Sequence, residues 1–230
     1  MLPYDYILFD ADNTLFDFDA AEAKALDATL AHFGYPCDDV TRPLYRAVNH
    51  ALWHRFNLGR ISREKLLVER FAVFVQVMGG TDDPAALNRC YLDQLSRNAD
   101  LIPGAEELCR ALAPHCTLAI VTNGNARAQR GRFERSPLKD LIPWLFISEE
   151  VGAQKPEPRF FRAALDAMGI QDARRAVVVG DDPYSDILGG NRAGLDTIWY
   201  HPAATPSPDG IRPTYSARSL EEIGGLLLRP

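Results

Sequence analysis

Beyond Leu101 the chain alternates short, mainly apolar runs with helical stretches of about ten residues, and this alternation leaves few folds open. The runs at 117–121 (Thr-Leu-Ala-Ile-Val), 145–147 (Leu-Phe-Ile), 176–179 (Ala-Val-Val-Val) and 196–199 (Asp-Thr-Ile-Trp) lack polar alternation. A strand that is apolar on both sides must be covered on both sides. That is the situation of a parallel sheet between two helical layers. Helices are predicted over 105–113, 125–135 and 158–168, from Ser185 onward, and over 220–228 behind a Ser219 cap. Residues 6–10 supply one more buried strand, and the proline-rich stretch 202–213 reads as a surface loop.

Between that first strand and Leu101 the pattern is helix after helix. A helix over 19–33 takes Asp19 as its N-cap and Gly34 as its stop. A second, over 44–56, places Leu44, Val48, Leu52 and Phe56 on one face. Ser62 opens a third, which ends at Gly79-Gly80, and Pro84 sits in the first turn of a fourth carrying Leu87, Tyr91 and Leu95. The expected fold class is therefore α/β. A parallel-sheet core (residues 1–16 and 101–230) is interrupted, just after its first strand, by a helical bundle (residues 17–100).

Composition narrows the function. Net charge is −6, which argues against broad nucleic-acid binding, since that needs a basic face. Cys37, Cys90, Cys109 and Cys116 have no CxxC spacing, so buried free thiols in a reducing compartment are expected. With no apolar run of about 18 residues and no basic leader at the N-terminus, the expected location is cytoplasmic, with no membrane partner.

Open parallel sheets bind ligands at the C-terminal ends of their strands. Here the first strand ends in Asp10-Ala11-Asp12. If the chain stays extended, both carboxylates face the same way. A divalent cation or a shared proton would relieve their repulsion; two solvated aspartates in a polar turn are the other reading. The second strand ends in Thr122-Asn123-Gly124 and the fourth in Gly180-Asp181-Asp182, with Asp186 beyond it. Lys155-Pro156 lies between the third and fourth strands. Each motif alone is an ordinary turn. Their joint occurrence, each at the right place, is much harder to obtain by chance.

On Asp10-Ala11-Asp12-Asn13-Thr14, Thr122-Asn123-Gly124, Lys155-Pro156 and the run Gly180 to Asp186, the chain resembles phosphatases of the haloacid dehalogenase-like superfamily. The helical insert resembles that family's C1-type cap. Residues 48–53, 147–152 and 186–191 resemble the branch that dephosphorylates pyrimidine nucleoside 5′-monophosphates, non-standard ones included. The resemblance implies a Rossmann-like core under a cap, with Mg²⁺-dependent hydrolysis of a phosphate monoester. It implies Asp10 as nucleophile, forming an aspartyl-phosphate, and Asp12 as acid and then base. Implied metal ligands are the Asp10 and Asp181 side chains and the Asp12 carbonyl oxygen. Thr122, the Asn123 backbone N–H and Lys155 would bind the phosphoryl group, with Asp186 behind them holding Lys155 or a water molecule. Asp182 stands where related sequences often carry a small hydroxyl residue, and its charge either weakens phosphate binding or reinforces the metal.

Other readings share these residues. A phosphatase for phosphoglycolate or sugar phosphates, and a phosphosugar mutase, would use the same two aspartates. A non-catalytic binding relative is disfavoured by the intact Asp10, Asp12, Lys155 and Asp181, and a dehalogenase has no use for Asp12. Phe16, Phe18, Asn49, Trp53, His54 and Phe56 are either readers of a nucleobase or parts of the bundle core.

Overall fold

A computed structural model of the chain describes residues 4–204 and 206–228; residues 1–3, on which the expectation about the N-terminus partly rests, lie outside them. The described residues form a six-stranded parallel sheet. Its strands are β1 (Tyr6–Phe9), β2 (Thr117–Thr122), β3 (Trp144–Ile147), β4 (Ala176–Gly180), β5 (Asp196–Tyr200) and β6 (Tyr215–Ala217), in the order β3-β2-β1-β4-β5-β6. The helices are α1 (Phe18–Phe33), α2 (Thr41–Asn57), α3 (Arg63–Val77), α4 (Pro84–Leu95), α5 (Ala105–Leu112), α6 (Ala126–Arg135), α7 (Ser148–Val151), α8 (Pro158–Ala167), α9 (Leu188–Ala193) and α10 (Leu220–Leu227). None is long and apolar enough to cross a membrane.

The chain divides into two compact units, Met1–Phe18 with Ala99–Pro230, and Asp19–Asn98. In the first, strand side chains alternate between two helical layers. Ile7, Phe9, Leu118, Ile120, Val177 and Val179 pack with Leu108, Leu112, Leu220 and Ile223 of α5 and α10. Leu8, Ala119, Val121, Ala176 and Val178 pack on the other side with Phe160, Phe161 and Ala164 of α8. Both layers are fully apolar, which is why the strand sequences show no polar alternation. Truncating a buried Phe160 or Phe161 to Ala would cost about 3–5 kcal/mol.

Where the chain leaves for the helical unit and returns from it, Phe16 pairs antiparallel with Leu101. The Asp17 N–H donates to the Asp100 carbonyl at 3.0 Å and the Ile102 N–H to the Leu15 carbonyl at 2.9 Å.

The helical unit holds a polar interior that the apolar stripe read from sequence hid. On α2 the buried face runs Tyr45, Asn49, Leu52, Phe56, one position round from the predicted stripe, and Leu44 and Val48 are only half-buried. Asn49 donates to Glu22 Oε1 at 2.7 Å and accepts from Arg70 Nη1 at 3.2 Å. Arg70, itself buried, also donates to Asn88 Oδ1 at 2.7 Å and lies over the Tyr91 ring at 4.6 Å. These bonds, rather than apolar contact alone, fix how α1, α2, α3 and α4 meet.

Three further local readings need correcting. Asp19 is not the N-cap of α1 but lies inside its first turn; Asn13 Oδ1 accepts from the Phe18 N–H at 3.2 Å in its place. Of the four cysteines only Cys109 is buried, and the other three are half-buried. The sixth strand was not foreseen.

Candidate active site

β1 is the central strand, with β2 on one side and β4 on the other. Its end is therefore flanked by the ends of both neighbours. The Asp10 N–H still bonds to the Val179 carbonyl, at 2.8 Å, one residue past the strand. Then the chain reverses. The Ala11 carbonyl accepts from the N–H groups of Leu15 and Phe16, and Asn13 adopts a left-handed φ of 59°, which asparagine tolerates better than most residues.

Lys155 lies at the centre. Its ammonium donates to Asp10 Oδ1 at 2.5 Å, to Asp186 Oδ1 at 2.6 Å and to the Val121 carbonyl at 2.9 Å. Asn123 holds the Lys155 backbone through both its side-chain oxygen and its side-chain nitrogen. Asp186 accepts a second bond, from the Asp182 N–H to Oδ2 at 3.1 Å. Gly180 makes room for this, because a Cβ there would stand 2.3 Å from Asp186 Oδ2.

Asp181 comes off β4 beside Asp10. Its Oδ1 accepts from the Thr14 hydroxyl at 3.3 Å, and its carbonyl accepts from the Trp199 indole at 2.9 Å. Asp182 turns elsewhere: its side chain caps the π-helical turn Pro183–Ile187 by accepting from the Tyr184 N–H at 2.8 Å. Thr122 is buried, and its hydroxyl accepts from the Gly124 N–H at 3.0 Å.

Asp10, Asp181 and Asp186 each place one carboxylate oxygen within 4.8 Å of the others. Burial pushes the Asp10 carboxyl up to about 8, against the pull of Lys155. Desolvation and the charges of Asp10 and Asp186 hold the Asp181 carboxyl well above the usual carboxylate range. Burial also raises Asp186, with Lys155 opposing. Burial works against the Lys155 ammonium, but the charges of Asp10 and Asp186 outweigh it and keep Lys155 protonated. Three carboxyl groups face one ammonium, and their raised values show that ionising all three would leave more negative charge than Lys155 offsets. An all-oxygen donor set that lacks positive charge to ionise fully fits a hard divalent cation such as Mg²⁺. Asp186 is already engaged on both oxygens, which favours Asp10 and Asp181 as the ligands.

The sequence reading grouped Asp10 with Asp12, yet their carboxylates take different partners. Asp12 turns to α6, where Oδ2 accepts from Gln129 Nε2 at 2.6 Å and Oδ1 accepts from Arg132 Nη1. Neither Gln129 nor Arg132 was singled out from sequence, since glutamine and arginine on a polar helix look solvated. Trp199 and Thr14 were likewise not foreseen as neighbours of Asp181. Several proposed base readers fall inside the packing. Phe16, Asn49 and Phe56 are buried, Trp53 is half-buried edge-on to Phe56, and His54 is exposed.

Comparison with known proteins shows the family. Residues 4–194 match the family model described as haloacid dehalogenase-like hydrolase. The chain is 36% identical to the pyrimidine 5′-nucleotidase YjjG of Escherichia coli over 231 residues, covering 99% of this chain and 100% of that one. It is 33% identical to the pyrimidine 5′-nucleotidase PynA of Streptococcus pneumoniae, covering 96% and 93%. A crystal structure of the HAD-hydrolase YfnB of Bacillus subtilis bound to magnesium superposes with a TM-score of 0.93 at 35% identity, covering 97% of this chain and 98% of that one. The chain belongs to the haloacid dehalogenase-like hydrolase family.

Proposed function

We propose that this protein is a Mg²⁺-dependent phosphomonoesterase acting on pyrimidine nucleoside 5′-monophosphates. The observation that carries the reading is the Lys155 ammonium shared between Asp10 and Asp186, with Asp181 beside them, at the end of the central strand. A carboxylate flanked by a fixed cation is what attack on an anionic phosphorus requires.

In this reading an Asp10 oxygen bonds to phosphorus as the ester P–O bond breaks. Asp12 gives its proton to the departing alkoxide oxygen. Water then bonds to phosphorus, its proton passes to Asp12, and the bond from Asp10 to phosphorus breaks to release inorganic phosphate. Lys155, the Thr122 hydroxyl and the Asn123 backbone N–H hold the phosphoryl oxygens. Asp10, Asp181 and the Asp12 carbonyl would hold Mg²⁺, whose positive charge would offset repulsion between Asp10 and the ester. Asp186 keeps Lys155 aimed at Asp10. The nucleotide class is supported by the relatives named pyrimidine 5′-nucleotidase at 33% and 36% identity over nearly the full chain.

The test is phosphate release from a panel of nucleotides, phosphoglycolate and sugar phosphates, with Mg²⁺ and with a chelator. Pyrimidine nucleotides are expected to turn over fastest, and only with the ion. Equal rates on sugar phosphates would remove the nucleotide assignment. Asp10→Asn is expected to fall to background while its melting profile persists; unchanged turnover would remove Asp10 from the reaction.

A further inference from the structure

Asp12 is held from one direction. Both of its carboxylate oxygens accept hydrogen bonds from α6, Oδ2 from Gln129 Nε2 at 2.6 Å and Oδ1 from Arg132 Nη1. Gln129 and Arg132 are three residues apart, so they share a helix face. Both are buried, at 3% and 0% exposure, whereas Asp12 stays partly open. The arginine is seated by aromatic faces, its guanidinium lying 4.8 Å from the centre of the Phe16 ring and 5.9 Å from that of Phe18. Space for the glutamine is built in as well. A Cβ at Gly124 would stand 2.1 Å from Gln129 Nε2. Burying an arginine and a glutamine side by side is costly unless their partners are fixed. The partner that the structure gives them is the carboxylate next to the candidate nucleophile.

We propose that Gln129 and Arg132 are positioning residues that set the direction in which Asp12 faces, and so govern proton delivery to the leaving oxygen rather than attack on phosphorus. The proposal rests on the phosphomonoesterase reading above. Arg132 anchors one oxygen of Asp12. Gln129, neutral and without a charge to fix the proton's place, steadies the other oxygen and lets it meet the ester. Loosening this pair leaves Asp10, Lys155 and the phosphate contacts in place. It takes away the alignment of the group that protonates the alkoxide and then, in a second step common to all esters, accepts the proton of water.

Leaving-group dependence separates this role from a structural one. A nucleoside monophosphate expels an alkoxide that needs a proton, whereas 4-nitrophenyl phosphate expels a phenolate that leaves without one. Gln129→Met keeps the volume and removes the donor. In single turnover, its rate of uridine release from uridine 5′-monophosphate is expected to fall at least tenfold more than its rate of 4-nitrophenolate release from 4-nitrophenyl phosphate, with KM for the nucleotide changed less than threefold. Arg132→Lys, which keeps a donor and a charge, is expected to show the same bias in smaller degree. It also provides the measurement should Gln129→Met fail to fold. Equal losses on both substrates, or none on either, would overturn the proposal while leaving the phosphatase reading standing. A wild-type protein inactive on both esters would remove the phosphatase reading, and the positioning role with it.

Discussion

Asn123 clasps Lys155 at both ends of its side-chain amide: Oδ1 accepts from the Lys155 N–H at 2.9 Å, and Nδ2 donates to the Lys155 carbonyl at 2.8 Å. The strand-end turn after β2 thereby grips the loop that carries the central ammonium. Asn123→Ala breaks both buried bonds and leaves a donor and an acceptor unsatisfied. Expected are a stability loss of about 1–3 kcal/mol by denaturant titration and at least a tenfold fall in kcat/KM. Activity within twofold of wild type would show that Lys155 holds its place without the clasp.

Lys155 itself separates two buried carboxylates. Lys155→Met removes the cation and leaves Asp10 and Asp186 in the interior with no compensating charge. The expected cost is about 3–5 kcal/mol, read as a lowered urea midpoint, with activity at background. A double variant that also carries Asp186→Asn should recover part of the stability and none of the activity. Recovery of turnover in the double variant would contradict the role given to the ammonium.

Asp182, whose charge admits two readings from sequence, has a local task as the cap of the turn Pro183–Ile187. Asp182→Ala is expected to lower stability by about 0.5–2 kcal/mol, as other lost caps do. Mg²⁺ affinity, measured calorimetrically, is expected to stay within threefold of wild type. A tenfold loss would place Asp182 among the ligands.

Glu22 gives a pH signature in the helical unit. Burial raises its pKa in the folded state, against the opposing hydrogen bond from Asn49 and the charges of Arg46 and Arg70. The folded state therefore binds the proton more tightly than the unfolded state. The stability this contributes is fully present below the ordinary glutamate value of 4.5 and is lost as pH rises through the higher folded value. Glu22→Gln cannot ionise and escapes that loss. Its melting temperature should equal or exceed that of wild type near about pH 8, and the advantage should shrink on acidification. A wild type that is more stable than the variant at alkaline pH would mean that the arginines outweigh burial.

The sheet was legible because its strands are covered twice. Val177, Val178 and Val179 are all buried, so the run announces itself without periodicity. β6 gave no such signal, as Tyr215 and Ser216 are exposed on an edge strand and only Ala217 is buried. The candidate site was legible where chemistry sits in the chain at strand ends, as with Asp10 and Asp181, or in a short marked loop, as with Lys155-Pro156. It was illegible where burial is conferred by tertiary contact. Arg132 lies in a helix reading Ala-Arg-Ala-Gln-Arg-Gly-Arg-Phe-Glu-Arg, in which nothing distinguishes the one fully buried arginine from its solvated neighbours. Asn49 was noticed among the aromatics near Trp53, but its true neighbours, Glu22 and Arg70, lie on other helices.

The short pairing of Phe16 with Leu101 has an architectural consequence. The core ties together the two ends of its own guest, so the span between them enters the folding free energy only logarithmically. The sheet asks of whatever fills that span merely that it start and finish at one doorway. Grafting a different set of helices between Asp17 and Asp100, or a brief turn, should leave the strand order untouched, and the hydrogen-exchange protection of β1 would report it.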